Sequence, residues 1–170
     1  MSCVLLGTVV GAPNTQAQTQ TGIVEAAAQG AVFMPVQDTN RESTGYLVVG
    51  RVGYFVTDAL QVAIAPQVYG NFKDTPSGAL TGRVDYHLLP ESTTVPFVGV
   101  QGGVLFSSSG GGFGGGGGTD TNGALGGQAG VKVFLTKTTS VNAELDYIAS
   151  TDAMDEGALL ALFGVSYYFR

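Results

Sequence analysis

The chain has 170 residues, enough for one domain, a formal charge of −6 and a charged fraction of 12%, about half the usual share of a soluble domain. Its few Lys and Arg residues are scattered singly, which excludes a basic nucleic-acid surface, and its single cysteine, Cys3, excludes a disulfide framework, a Cys-based metal site and a thiol nucleophile. Mean hydropathy is positive, yet no apolar run is long enough for a membrane helix, a pairing that alternating membrane strands produce.

Residues 1–21 are expected to be a signal peptide and short tail, with a domain over 22–170. The apolar run Val4 to Ala12 is followed by Thr15-Gln16-Ala17, which has the small-x-small form of an export cleavage site, although a charged n-region is missing. From Gly22 onward turn residues recur about every 8–14 residues, with period-2 segments between them. Eight strands are predicted, over 22–36, 45–57, 60–72, 79–89, 95–108, 123–136, 139–150 and 157–169.

In chain order, one face of each strand is apolar. Strand 1 sets Val24, Ala26, Ala28, Val32 and Met34 against Glu25 and Gln29; strand 2 sets Val48, Val52, Tyr54 and Val56 against Arg51. Strand 3 sets Leu60, Val62, Ile64, Val68 and Phe72 against Gln61, Ala63, Ala65, Gln67 and Asn71. Strand 4 carries Arg83, Asp85, His87 and Leu89 opposite Leu80, Val84, Tyr86 and Leu88. Strand 6 carries Gln128 and Lys132 opposite Leu125, Ala129, Val131, Val133 and Leu135. Strand 7 sets Asn142, Glu144, Asp146 and Ile148 against Val141, Leu145, Tyr147 and Ala149. Strand 8 presents Leu159, Ala161, Phe163, Val165, Tyr167 and Phe169 on one wholly apolar face.

The connections alternate. Tight ones fall at 57–59, 90–94 and 137–138; longer ones at 38–44, 73–78, 107–122 and 151–156. In an up-and-down barrel this puts short turns at one rim and longer loops at the other, as in bacterial outer-membrane barrels, with both termini on the short-turn, periplasmic side. The polar face is rich in Gly and Ala, and its charges nearly balance: Arg51, Arg83 and Lys132 against Glu25, Asp85, Glu144 and Asp146. Small residues suit a crowded lumen, and balance is expected where charges must pair in a confined space. The apolar face therefore points to lipid, with Tyr46, Tyr54, Tyr86, Tyr147, Tyr167, Phe72, Phe106 and Phe169 as interfacial aromatics. The fold class is all-β, an eight-stranded antiparallel up-and-down transmembrane β-barrel.

The segments Val95-Pro96-Phe97-Val98-Gly99-Val100-Gln101-Gly102-Gly103-Val104, Gly130-Val131-Lys132-Val133-Phe134-Leu135, Ala143-Glu144-Leu145-Asp146-Tyr147 and Gly164-Val165-Ser166-Tyr167-Tyr168-Phe169 follow one another in order. In this the chain resembles the eight-stranded outer-membrane β-barrel domain family (the OmpA, OmpX and OmpW-like barrels) over about residues 22–169. The resemblance implies a terminal aromatic signal, here Tyr167 and Phe169, read by the barrel-assembly machinery; in this chain Arg170 follows it.

Chemistry is sparse. His87, the single histidine, is expected in the lumen near the short-turn rim, about a strand length from Ser107, Ser108 and Ser109, so no catalytic set, metal site or cofactor is expected. Arg51, Arg83, Asp85, Lys132, Glu144 and Asp146 should share one height with Glu25 and His87 nearby, as a structural charge network filling the bore rather than a gate. Gly110 to Gly118, with Phe113, lacks the ending of a phosphate loop and reads as a surface loop. The acidic stretch Asp152 to Glu156 reads as a solvated loop. The expected role is structural or at the surface: membrane integrity, exposed loops, adhesion or stress resistance, in a monomer held by outer-membrane lipids. The alternatives are a narrow channel or carrier for small hydrophobic molecules, which needs an apolar lumen pocket, and a soluble ligand-binding barrel, which needs the apolar face turned inward.

Overall fold

The computed structural model describes residues 19–33, 45–71, 76–108 and 119–170. Cys3, the expected export segment, Met34, the connection at 38–44, Phe72 and the run Gly110 to Gly118 lie outside them. Eight strands follow in sequence: β1 (Val24–Phe33), β2 (Gly45–Phe55), β3 (Leu60–Asn71), β4 (Ser77–His87), β5 (Thr94–Ser108), β6 (Thr119–Phe134), β7 (Thr139–Ser150) and β8 (Ala153–Phe169). Each pairs antiparallel with the next, and β1 pairs with β8 to close the barrel. The eight-stranded all-β architecture expected from the alternation is the observed one.

Side-chain period and register together decide which residues meet. Alternation sends every second residue inward. The ladders then bring the inward residues of neighbouring strands to one height: Glu25 pairs with Gly53, Gln61 with Asp85, Gln128 with Asp146 and Lys132 with Asn142. The β2–β3 ladder is interrupted opposite Pro66, which has no N–H to donate. Two residues before β1, Gly22 has φ +87°, a conformation that favours glycine; its N–H donates to Phe55 O at 2.9 Å.

Three expectations are corrected. Residues 151–156 are not a longer loop: Ser150 pairs with Ala153, and β7 turns into β8 through Thr151 and Asp152 alone. Asp152 N donates to Ser150 Oγ (3.4 Å) within the turn, Thr151 N ties the turn to Gly123 O of β6 (2.9 Å), and β8 begins at Ala153. A register shift between Ile148 and Ser150 changes the phase of β7, so Ala149, expected on the apolar outer face, is buried. Leu89, expected inward, is exposed because β4 ends at His87.

Polarity is inverted relative to a water-soluble fold. Among the described residues eighteen polar or charged residues are buried against fifteen apolar ones, and most of the large apolar side chains face out. Leu159 is 70% exposed, Phe163 66%, Val100 64% and Ile64 59%. The soluble-barrel alternative required the opposite arrangement of faces.

Candidate functional site

The eight strands enclose a lumen, and its described side chains form three layers. Nearest the rim of tight turns, the inward residues at the strand ends are aromatic or apolar: Ile23, Phe55, Val95, Phe134 and Tyr168 pack together. His87 sits among them, its ring 5.0 Å from that of Phe55 and 5.6 Å from that of Phe97, with Nδ1 3.3 Å from Ala59 O. Ser107 and Ser108 end β5 at the opposite rim.

Above this layer lies the charge network, and each of the eight residues expected from the sequence is in or against it. Glu25 is the hub. Arg51 Nη2 lies 3.0 Å from its Oε1 and Lys132 Nζ 2.6 Å from its Oε2. Gln61 Nε2 donates to it at 2.6 Å, Tyr168 Oη at 3.3 Å, and Ser166 Oγ as well. Glu144 is a second hub: Arg51 Nη1 at 3.2 Å, Arg83 Nη2 at 2.7 Å and Gln29 Nε2 at 3.1 Å. Arg83 Nη2 also lies 3.6 Å from Asp85 Oδ1, which accepts from Gln128 Nε2 at 2.6 Å. Asp146 accepts from Gln101 Nε2. Lys132 Nζ sits 5.3, 5.6 and 6.0 Å from the ring centres of Phe97, Phe55 and Tyr168, so its ammonium joins the aromatic layer to the charge layer.

The charges are fully removed from solvent, which requires such dense pairing: an unpartnered ion in this setting would cost several kcal/mol. Glycine makes room for it. A Cβ at Gly99 would fall into the Gln128–Asp85 hydrogen bond. Chemically the layer is a plug, since three ion pairs (Arg51–Glu144, Arg83–Glu144 and Lys132–Glu25) join non-neighbouring strands across a bore that eight strands leave only wide enough for side chains. Among the described residues no cluster of three or more His, Cys, Asp and Glu side chains could hold a metal ion.

Sequence reasoning left two things out. The amides and hydroxyls that complete the network (Gln61, Gln101, Asn142, Ser166 and Tyr168) carry no charge to mark them; Gln61 and Asn142 were placed on the polar face without a role, and only Asn142 shares its strand with a charged member, Glu144. The larger omission is the third layer. Toward the rim of longer connections the lumen is apolar, not polar: Leu47, Val49, Ala65 and Leu162 are buried together, with Ala31, Tyr69 and Leu160 against them. Beside them is a cavity of about 270 Å³ walled by Leu47, Leu105, Ile148 and Leu160. The signal was the run Leu159 to Phe163, apolar on both faces at that height.

The outer wall carries the terminal aromatics. Tyr167 and Phe169 stack side by side with ring centres 6.2 Å apart, both facing outward.

Comparison with known structures meets this geometry at once. The N-terminal β-barrel domain of Pseudomonas aeruginosa OprF matches with a TM-score of 0.66 at 19% identity, over 88% of this chain and 98% of that one. The fold is that of the eight-stranded outer-membrane barrels. Neisserial surface protein A matches with a TM-score of 0.57 at 19% identity, over 86% of this chain and 93% of that one. The Yersinia pestis outer membrane protein Ail, in a phospholipid bilayer nanodisc, matches with a TM-score of 0.52 at 15% identity, over 87% and 99%. No protein-family model and no curated protein matches the chain.

Proposed function

We propose that this chain is a bacterial outer-membrane protein with a structural and surface role, its barrel a closed anchor in the lipid and its longer connections carried on the outer side. The observation that carries this reading is the inversion of polarity: an apolar belt faces outward around a lumen crossed by paired charges. An apolar belt of that extent is stable against lipid and unstable against water. The shared fold with the outer membrane protein Ail supports the same location. In that orientation β1 begins and β8 ends on the periplasmic side, Tyr167 and Phe169 are the signal for the barrel-assembly machinery, and lipid is the principal partner. A closed ladder leaves no strand edge to pair with another copy, which supports a monomer.

Surface exposure, adhesion or stress resistance suits a barrel whose bore is plugged. The plug disfavours a through-channel, since solute would have to break ion pairs at Glu25 and Glu144 together. The test is mobility on an SDS gel, boiled against unboiled, of protein extracted from membranes, with conductance measured in planar bilayers. A shift on boiling with no resolvable channel openings is the expected result. Recovery in the soluble fraction without a shift overturns the membrane reading; steady ion conductance overturns the plug.

A further inference from the structure

The apolar cavity above the plug has no part in the structural role. We propose that it is a blind binding cup for a small uncharged molecule with an apolar body of about two fused rings and one hydroxyl group, entered from the rim of longer connections. The inference rests on the lumen geometry and not on the surface role of the barrel.

Size comes first. An apolar cavity of about 150 Å³ takes benzene; this one, at about 270 Å³, has room for nearly twice that body. Chemistry comes second. The wall is mostly aliphatic, and its polar side chains are Gln67, Tyr69 and Ser150. Gln67 is buried and gives one amide N–H to Thr81 Oγ1 at 3.4 Å, which leaves its second N–H and its oxygen to meet a guest. A hydroxyl on the guest, both donor and acceptor, matches that amide. A charged guest would lose its hydration against aliphatic walls with no ion to meet it.

Position comes third. Leu47, Tyr69 and Ser150 lie within a few residues of the strand ends at the rim of longer connections. Inward, Val49, Ala65 and Leu162 close the apolar layer, and the charges follow beneath. A guest can therefore enter and leave by that rim but not pass through. This separates the cup from a channel.

The chain carries its own reporters. Its three isoleucines are Ile148 in the cup wall, Ile64 on the lipid face and Ile23 beyond the plug. The experiment is a titration of the full chain in maltoside micelles with 1-naphthol, read on 13C-labelled isoleucine δ1-methyl groups. The expected result is a saturable shift at Ile148, a linear one at Ile64 from probe dissolved in the micelle, and none at Ile23. Ala158→Phe, at an exposed position on the cavity wall, should weaken the Ile148 response at least tenfold while leaving the gel shift on boiling intact. Ala149→Phe fills the cup from a buried position and should act alike if it folds. The proposal is overturned if Ile148 merely tracks Ile64 and ignores Ala158→Phe, which means partition into the micelle. It is overturned equally by a saturable shift at Ile23, which means passage through the plug. Cross-relaxation from detergent chains to Ile148 without probe also overturns it, since an alkyl chain would then hold the site.

Discussion

The middle and the outer part of the lumen are built by the same eight strands and filled in opposite ways. In the middle, long charged side chains from β1, β2, β4, β6 and β7 reach into the bore and meet in pairs, with Glu25 and Glu144 each shared by two cations. Farther out, Ala65, Ala79, Ala124 and Ala149 keep the wall low and a void remains among leucines. The difference teaches that one barrel size admits both a specific and a permissive interior. Pairing makes the middle all-or-none, whereas apolar contact in the outer part has no partner to satisfy and tolerates volume.

The sharpest way to break that contrast is at the hub. Glu25→Ala leaves Lys132 without its carboxylate and Arg51 with Glu144 alone, and should cost about 3–5 kcal/mol, read as the urea midpoint of the gel shift in lipid vesicles. On the outer wall at the same height, Val52→Arg puts a charge into lipid and should cost about 2–4 kcal/mol, against about 0–1 for Leu135→Arg beside a tight turn; equal costs would mean that the belt does not face a bilayer. Leu162→Ala in the apolar layer should cost about 2–3 kcal/mol, the low end for such truncations because the neighbouring void lets the wall relax. A loss larger than that of Glu25→Ala would reverse the ranking of the two layers. Ala149→Val should stabilise by about 0.5–1 kcal/mol as a filled cavity does.

The smallest effect belongs to the rim. Thr21 donates its N–H (2.8 Å) and its hydroxyl (2.9 Å) to Asp58 Oδ1, and these two bonds hold the exposed Asp58 carboxyl below the usual carboxylate range. A carboxyl with a depressed folded pKa stabilises at neutral pH, fully so above its unfolded pKa, and the gain is lost as pH falls through the folded value. Asp58→Asn should leave the urea midpoint nearly unchanged at pH 7 and remove the low-pH step in the Thr21 amide chemical shift.

How far the sequence could be read follows from the same contrast. Arg51, Arg83, Lys132 and the four carboxylates were legible because a charge on an apolar-alternating strand has one place to go. Three of the tight turns were legible from Asp58, Pro90 and Lys137 with their neighbours. The β7–β8 turn was not: Thr151 to Glu156 looks polar, and only pairing across to Gly123 and Ser150 reveals strand. Ala149 was misread because a one-residue change of phase leaves no compositional mark. The cup was hidden since alternation tells in from out but not whether what points in meets anything.

Among the described residues the β1–β8 ladder, from Val24–Phe169 to Gly30–Phe163, is the shortest of the eight. It is also the seam that cannot zip until the last strand exists, and Glu25 stands on it, taking Ser166 and Tyr168 from β8, Arg51 from β2 and Lys132 from β6. The same carboxylate that plugs the bore is therefore the clasp of the ring. Its bonds to Ser166 and Tyr168 form only when both ends of the barrel have met, so an unfinished barrel is left with a half-clasped charge and part of the reward for closure comes late.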